Sequence, residues 1–155
     1  MSHRYWIFKS EPTVFGIEHL ACCQNQTTIW DGVRNYQARN FLRDEVCVGD
    51  IAFFYHSNVH PPGVAGVMTV TKVGIPDQTA LDKHSRYYDP RSTKDEIIWY
   101  GVQVKLLKRF PHFISLAELK AQPGLKKLLI LRPGNRLSIT PIRPEESKIL
   151  FQMTK

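Results

Sequence analysis

Two segments of the chain combine aromatic, basic and small polar side chains at points where regular structure should end. The first covers residues 5–12 and includes Lys9 and Ser10, and the second covers residues 30–39 and begins at Trp30. An indole ring offers a flat face for stacking, while lysine, arginine, serine and asparagine supply hydrogen bonds and charge. Such a set suits a flat, polar and partly anionic ligand, and a nucleotide has these properties. Packing of a core alone does not require this mixture.

Trp30 stands directly before Asp31-Gly32, a residue pair that predicts a turn, and it has two interpretations. A tryptophan is commonly a core residue, because its large ring buries much apolar surface. Arg34 and Asn35, which follow it closely, favour a second interpretation in which the ring stacks on a base and contributes about 1–3 kcal/mol. The residues alone leave both interpretations open.

A third polar group, His56, Ser57 and Asn58, directly follows a predicted strand that ends at Tyr55. These side chains could meet the polar edge of a base, although serine and asparagine also favour loops because of their local hydrogen bonds to the backbone. The histidines of this region do not predict a metal site, since no third ligand is evident. The aromatic and polar loop over residues 87–92 could border a pocket or pack on itself.

No catalytic signature is present. The sequence lacks the Gly-x-Ser-x-Gly, P-loop and His-Glu-x-x-His patterns. Ser10, Ser57, His56 and Glu11 could supply a nucleophile and a base, but their types alone do not establish a geometry. A binding module is therefore the first hypothesis, and a nucleotide- or RNA-acting enzyme that uses His56 is an alternative. No cofactor is predicted.

Charge is distributed unevenly along the chain. Residues 1–100 contain ten Lys and Arg against eleven Asp and Glu, a net charge of −1, whereas residues 101–155 contain eleven against three, a net charge of +8. A strongly basic segment favours contact with a polyanion. A solvated basic face without a partner is the alternative.

Composition limits the class of protein. The chain has 155 residues, enough to bury a core without disulfides, and its three cysteines lack Cys-x-x-Cys spacing, which indicates reduced thiols. Its apolar runs are too short to cross a bilayer, and its N-terminus lacks the features of a signal peptide. We expect a soluble intracellular protein without a membrane partner, cytoplasmic or, in a eukaryotic host, nuclear.

The elements that must position these residues are short strands and short helices. Strands are predicted over residues 5–10, 51–55, 64–73, 97–107 and 137–139, and helices over residues 17–23 and 35–43 and from Pro144 onward. Ser115 and Glu118 form a capping box that opens a further helix. Because most successive strands lack a long helix between them, we predict an α+β fold: a curved mixed sheet or small β-barrel of about five or six strands with short peripheral helices.

Nearly the whole chain resembles the EVE domain family. The most specific match is residues 30–43, which begin Trp-Asp-Gly-Val-Arg-Asn-Tyr. The other matching segments are residues 6–12, 49–50, 53–58, 63–66, 88–90, 116–120 and 136–141. The resemblance implies a single PUA-like domain over residues 1–155, related to the YTH domains, which read methylated adenine in RNA through an aromatic cage.

The resemblance also implies a pocket for a modified base, flipped out or single-stranded, and a DNA or RNA partner that carries it. The expected base-pocket residues are Ser10, Trp30, Asn35, Tyr55, His56, Ser57 and Asn58. The expected phosphate contacts are Lys9, Arg34, Lys126, Lys127, Arg132 and Arg136. The second cage aromatic is left open between Trp99, Tyr55 and Tyr88.

A substitution at Trp30 distinguishes its two interpretations, and one further functional hypothesis remains. If Trp30 is a cage residue, Trp30→Ala should abolish binding of the modified base and leave the fold largely intact, whereas early melting would identify a core residue. A plain RNA-binding module that is indifferent to modification, as several PUA-like domains are, is a third functional hypothesis.

Overall fold

The chain folds into one mixed sheet with short helices on both faces. The computed structural model describes residues 3–155. Met1 and Ser2 lie outside the described residues; they belong to the expected domain and to the N-terminal segment in which no signal peptide was predicted. The strands are β1 (Tyr5–Ser10), β2 (Thr27–Trp30), β3 (Ile51–His56), β4 (Gly63–Pro76), β5 (Tyr100–Ser115) and β6 (Ile139–Ile142). The α-helices are α1 (Pro12–Phe15), α2 (Ile17–Cys22), α3 (Tyr36–Asn40), α4 (Leu116–Ala121) and α5 (Pro144–Met153). A π-helical turn covers Phe41–Glu45, and 3₁₀ turns cover Gln24–Gln26, Gln78–Ala80, Pro123–Leu125 and Leu129–Leu131.

The six strands are ordered β2-β5-β4-β3-β1-β6. β1 and β3 are parallel, while the other neighbouring pairs are antiparallel. Repeated register shifts between β4 and β5 interrupt the regular pairing, and such irregularities bend a sheet. The predicted α+β mixed sheet is therefore confirmed, but the barrel is not closed: within residues 3–155, β2 and β6 are the two edges of an open sheet.

Alternating side chains of the central strands form a core on each face of the sheet. Phe8 and Phe54 belong to the core that α2 and α3 cover, whereas Phe53 and Tyr55 belong to the core that α4 and α5 cover. Phe8, Phe53 and Phe54, at the centres of these cores, have no exposed surface. The sheet is thus a rigid platform, and the strand ends project from it.

Several sequence predictions of elements are confirmed, and others need correction. Ser115 accepts from the Glu118 N–H at 3.2 Å while the Glu118 carboxylate accepts from the Ser115 N–H at 3.3 Å, so the capping box is present. The predicted strand over residues 97–107 begins at Tyr100 instead and runs to Ser115. β2 was not predicted, because four residues with three half-buried side chains carry too short a pattern to recognise.

Candidate functional site

A cavity of about 550 Å³ opens where β1 and β2 end. Because β1 and β3 are parallel, their C-terminal ends meet at the same edge of the sheet, and the Ser57 N–H donates to the Ser10 carbonyl at 2.9 Å. The Lys9 N–H donates to the Ser138 carbonyl at 2.8 Å, which holds the segment before β6 beside them. The lining consists of Lys9, Ser10, Glu11, Val14, Phe15, Thr28, Ile29, Trp30, Asp31, Gly32, Val33, Arg34, Ser57, Arg86, Tyr87, Arg136 and Ser138.

Trp30 lies mostly in the core, although it also lines the cavity. Its exposed fraction is 6%, and its ring centroid lies 5.4 Å from that of Phe8, 5.1 Å from that of Phe54 and 6.5 Å from that of Phe15. Three aromatic neighbours at these distances indicate a packed core residue. The ring therefore supports the wall of the cavity and offers a ligand little of its own surface.

Tyr87 is the aromatic side chain that the connection between β4 and β5 brings to the cavity. It is half-buried, and the Arg86 guanidinium lies over its ring, 5.4 Å from the centroid. None of the three candidates for a second cage aromatic lines the cavity; Tyr88, the exposed neighbour of Tyr87, is one of them. The sequence indicated an aromatic loop here, but no local pattern distinguishes which of two adjacent tyrosines points inward.

Trp99 has a structural role. It is 2% exposed, and its Nε1–H donates to the Asp89 carboxylate at 2.8 Å. Its ring stacks on that of Tyr36 at 4.9 Å. Trp99 therefore fixes the start of β5 to the preceding loop, outside the cavity.

Arg34 holds the Tyr87 loop in place. Its Nε–H and one Nη2–H donate to the Tyr87 carbonyl at 3.0 and 2.7 Å, and Nη1 donates to the Asp77 carboxylate at 2.8 Å. The remaining donors reach the Val33 carbonyl and the Thr79 hydroxyl. All five N–H groups of the guanidinium are therefore engaged within the protein, and the expected phosphate contact would require breaking one of these bonds.

Gly32 allows this close approach. Its φ is +76°, and a Cβ at this position would lie 2.9 Å from the Tyr87 ring. Its N–H donates to the Asp77 carboxylate at 2.8 Å. The turn predicted at Asp31-Gly32 is thus a point where both the backbone conformation and the neighbouring ring require glycine.

Besides Arg34, three basic side chains from separate segments line the cavity: Lys9, Arg86 and Arg136. Lys9 is half-buried, and this burial lowers its pKa because the charged form loses hydration. Lys9 and Arg136 were expected to contact phosphate, and the structure brings them together. Arg86 was not expected, since it lies outside the basic last third of the chain.

The other basic residues expected at phosphates, Lys126, Lys127 and Arg132, do not line this cavity. Lys127 lies instead at a second cavity of about 580 Å³, together with Arg4 and Arg143. That cavity is at the N-terminal end of β1, while the first is at its C-terminal end. A contact of these residues with nucleic acid stays a prediction.

Two expected base-pocket residues, Tyr55 and His56, are directed elsewhere by β3. Tyr55 is 4% exposed and belongs to the core on the opposite face of the sheet from Trp30. The His56 Nε2 accepts from the Ile17 N–H at 3.2 Å. Burial lowers the pKa of His56, and the Glu18 carboxylate only partly offsets this effect. The apolar run of β3 carried no information about its faces, since both are buried.

Asn35 and Asn58 also lie outside the lining. The Asn35 carboxamide caps α3 by accepting from the Ala38 N–H at 3.0 Å. Asn58 adopts a positive φ of 51° in the loop after β3 and donates to the Glu11 carboxylate at 2.7 Å. Both therefore shape segments that carry lining residues.

Asp31 is a charged lining residue without a side-chain donor among the described residues. Its residue is exposed at the cavity, yet the surrounding protein limits its hydration and so raises its pKa. The Asp77 carboxylate raises this pKa further, and Arg34 only partly opposes the effect. Arg34 directs its hydrogen bonds to Asp77, so within residues 3–155 no side chain donates to the Asp31 carboxylate. From the sequence, Asp31 was expected only as a turn residue.

The described residues hold no group of three or more metal-ligating side chains. No helix among them is both long and apolar enough to cross a membrane. The expected cellular location stays a prediction.

Comparison with known proteins identifies the protein family that has this fold. The EVE domain family model matches residues 4–153, and the chain belongs to the EVE domain family. Human thymocyte nuclear protein 1 is 44% identical over 165 aligned residues, which cover 96% of this chain and 73% of the human protein. The family resemblance drawn from the sequence is therefore confirmed.

Solved structures show the same architecture. A hypothetical protein from Leishmania major has a TM-score of 0.93 and 42% identity, with 99% of this chain and 95% of that chain covered. Human THYN1, in complex with DNA that contains 5-methylcytosine, has a TM-score of 0.91 and 41% identity, with 98% of each chain covered. The predicted PUA-like fold is confirmed by these likenesses.

Proposed function

We propose that this protein binds DNA and accepts a modified base, flipped out or single-stranded, in the cavity at the ends of β1 and β2. The observation that carries the proposal is the combination of an aromatic wall with the cationic side chains of Lys9, Arg86 and Arg136, which come from separate segments, in one cavity of about 550 Å³. 5-Methylcytosine is the first candidate, because human THYN1, similar over nearly the whole chain, forms a complex with DNA that contains it.

Each part of the cavity has a function in this proposal. Phe15 and Tyr87 provide apolar surface for the base and its added group, supported from behind by Trp30. Lys9, Arg86 and Arg136 neutralise phosphates on either side of the extruded nucleotide, a contribution that depends on counterion release. Ser10 and Ser57 present hydroxyl groups at the polar edge, although Ser10 donates its own proton to the Phe15 carbonyl at 2.6 Å.

We also propose that binding is not followed by a reaction. His56, the acid or base of the enzyme alternative, is outside the lining, and its Nε2 accepts from the Ile17 N–H. An enzyme that used this nitrogen would have to break that hydrogen bond in each cycle. The observation supports a binding function over a catalytic one.

The proposal is tested by titrating one DNA sequence in four forms: single-stranded and duplex, each with and without 5-methylcytosine at one position. We expect the methylated single strand to bind most tightly. Extracting a paired base costs a few kcal/mol, while a methyl group in an apolar pocket contributes only about 1–3 kcal/mol. The duplexes should therefore bind weakly and with little selectivity.

Equal affinity for all four DNA forms would overturn the proposal and favour a plain backbone binder. An RNA strand of the same sequence, titrated alongside, tests the hypothesis of a general RNA-binding module. Chromatographic analysis of the recovered oligonucleotides tests the enzyme alternative, which predicts a changed base or a cleaved strand.

A further inference from the structure

The negative charge of Asp31 is unexpected in a cavity that is proposed to bind a polyanion. A carboxylate facing phosphates is unfavourable unless a donor reaches it, because like charges brought together raise the free energy of the complex. Lys9 does not provide that donor: burial alone lowers its pKa, with no contribution from a carboxylate. Arg34 does not provide it either, since its five donors are engaged elsewhere.

A role in the turn does not account for Asp31. The backbone N–H of the next residue, Gly32, donates to the Asp77 carboxylate, and Asp31 receives only a backbone interaction from its own residue. Within residues 3–155 its carboxylate forms no ion pair. Asp31 therefore has unused acceptor capacity at the cavity, where an incoming ligand can reach it.

We infer that Asp31 is a specificity-determining residue that accepts a hydrogen bond from the exocyclic amine of the bound base. This inference rests on the proposed function and names the chemical class that the cavity selects. An ionised carboxylate only accepts hydrogen bonds. It pairs with the amine of a cytosine-type or adenine-type base and opposes the carbonyl oxygen that thymine, uracil or guanine presents at the corresponding edge.

Two walls of the cavity then select different features of the base. The apolar side chains around Phe15 contact the added methyl group, and Asp31, which follows β2, accepts from the amine. A methylated base that lacks the amine should satisfy the first wall and be rejected by the second. Thymine is such a base, because it carries the methyl group of 5-methylcytosine and a carbonyl oxygen in place of the amine.

The experiment compares single strands that differ at one position, which holds 5-methylcytosine, thymine or cytosine. Binding is measured with wild type, Asp31→Asn and Asp31→Ala, and with Asp95→Asn as the matched control for loss of one negative charge at an exposed position outside the cavity. Thermal melting is recorded for each variant. Because Asp31 lacks side-chain partners within residues 3–155, we expect melting temperatures close to that of wild type.

For wild type and Asp95→Asn we expect 5-methylcytosine to bind about 10- to 100-fold more tightly than thymine, as for a hydrogen bond to a charged group. In Asp31→Asn the preference should fall to within about threefold, because a carboxamide can turn to donate or to accept. In Asp31→Ala the affinity for 5-methylcytosine should drop to about that of wild type for thymine.

The outcomes separate the two proposals. If wild type prefers 5-methylcytosine to cytosine but binds thymine equally well, the role of Asp31 is overturned and the modified-base function stands. A preference for 5-methylcytosine over thymine that survives in both Asp31 variants also overturns the role of Asp31. If wild type binds all three strands equally, the modified-base function itself fails, and the role of Asp31 fails with it.

Discussion

At the scale of single residues, Gly32 is a position where the neighbouring Tyr87 ring leaves no room for a side chain. A left-handed backbone costs a residue with a Cβ about 1–2 kcal/mol, and at Gly32 this cost is added to a contact of 2.9 Å with the Tyr87 ring. A side chain here must displace the ring or the turn. The position therefore couples stability to the shape of the binding wall.

We expect Gly32→Ala to lower the free energy of unfolding by more than Gly74→Ala and to weaken oligonucleotide binding. Gly74 is a matched control, because its φ is +70° and no atom lies within 4 Å of the position that a Cβ would take there. Urea denaturation and binding titrations of the two variants measure the difference. Equal losses of stability, with unchanged binding in both variants, would contradict the close approach of Tyr87 to Gly32.

Trp30 and Tyr87 have different roles in the structure, one in the core and one at the cavity surface. Trp30 supports the core, so Trp30→Ala should cost about 3–5 kcal/mol of stability, and the expectation that this variant keeps its fold largely intact is revised. Tyr87 is half-buried at the cavity, so Tyr87→Ala should weaken binding with a much smaller change in melting temperature. Unchanged binding by a folded Tyr87→Ala protein would remove Tyr87 from the proposed stacking surface.

At the scale of elements, a buried ion pair fixes the loop that carries Tyr87. The Asp77 side chain is completely buried and that of Arg34 is 22% exposed. Burial alone would raise the pKa of Asp77, but hydrogen bonds from Thr79, Arg34 and the Gly32 N–H outweigh it and lower the pKa. Removing one partner of such a pair leaves an uncompensated buried charge, which typically costs about 3–5 kcal/mol.

A second carboxylate, that of Asp89, links the same loop to Trp99, the residue directly before β5. Asp89 accepts hydrogen bonds from the Arg91 guanidinium and from the Trp99 indole. These bonds lower the pKa of Asp89 well below its ordinary value, with the Arg91 side chain as the largest cause. A folded-state pKa below the unfolded one means that the folded protein binds fewer protons between the two values. The resulting stability is present above the unfolded pKa, near 4, and is lost as the pH falls.

We therefore expect the free energy of unfolding to decrease as the pH falls below about 4. Asp89→Asn should show a smaller decrease, because its carboxamide does not titrate, whereas Asp95→Asn at an exposed position should behave like wild type. Urea midpoints between about pH 2.5 and pH 6 test this. An identical pH dependence in Asp89→Asn and wild type would show that Asp89 does not contribute.

At the scale of the whole molecule, the surface that faces nucleic acid is assembled from distant parts of the chain. Arg86 comes from the first hundred residues, which are nearly neutral overall, and Arg136 comes from the basic last third. Net charge by segment therefore predicted a polyanion partner without predicting all of the cations that line the cavity.

We expect oligonucleotide affinity to fall steeply with salt concentration. Arg86→Glu and Arg136→Glu should each reduce the slope of log affinity against log salt, by about 0.7 or more for each phosphate that is no longer neutralised. The same reversal at Lys126 or Lys127, outside the cavity, should reduce it less. Larger effects at the two lysines than at the two arginines would move the interface away from the cavity to the surface around Lys126 and Lys127, which the sequence also predicted to contact phosphates.

The sequence alone was sufficient to predict the family, most of the strands and part of the cavity lining. Lys9, Ser10, Trp30, Ser57 and Arg136 were expected to act together, and the structure brings them to one lining. Lys9, Ser10 and Ser57 stand at or just after the end of a predicted strand that a proline or a polar run terminates. Trp30 and Arg136 were expected from their neighbouring residues and from the family resemblance. The capping box at Ser115 was predictable from neighbouring residues.

Which groups remain available to a ligand depends on contacts that form in the folded protein. Arg34 and Asp31 are both charged residues beside Trp30, yet the guanidinium is fully engaged by Asp77 and the Tyr87 carbonyl while the Asp31 carboxylate has no such partner within residues 3–155. These partners lie more than forty residues away along the chain. A sequence pattern reports neighbours within a few positions, whereas hydrogen-bond saturation and burial depend on contacts that exist only after the sheet and its loops have assembled.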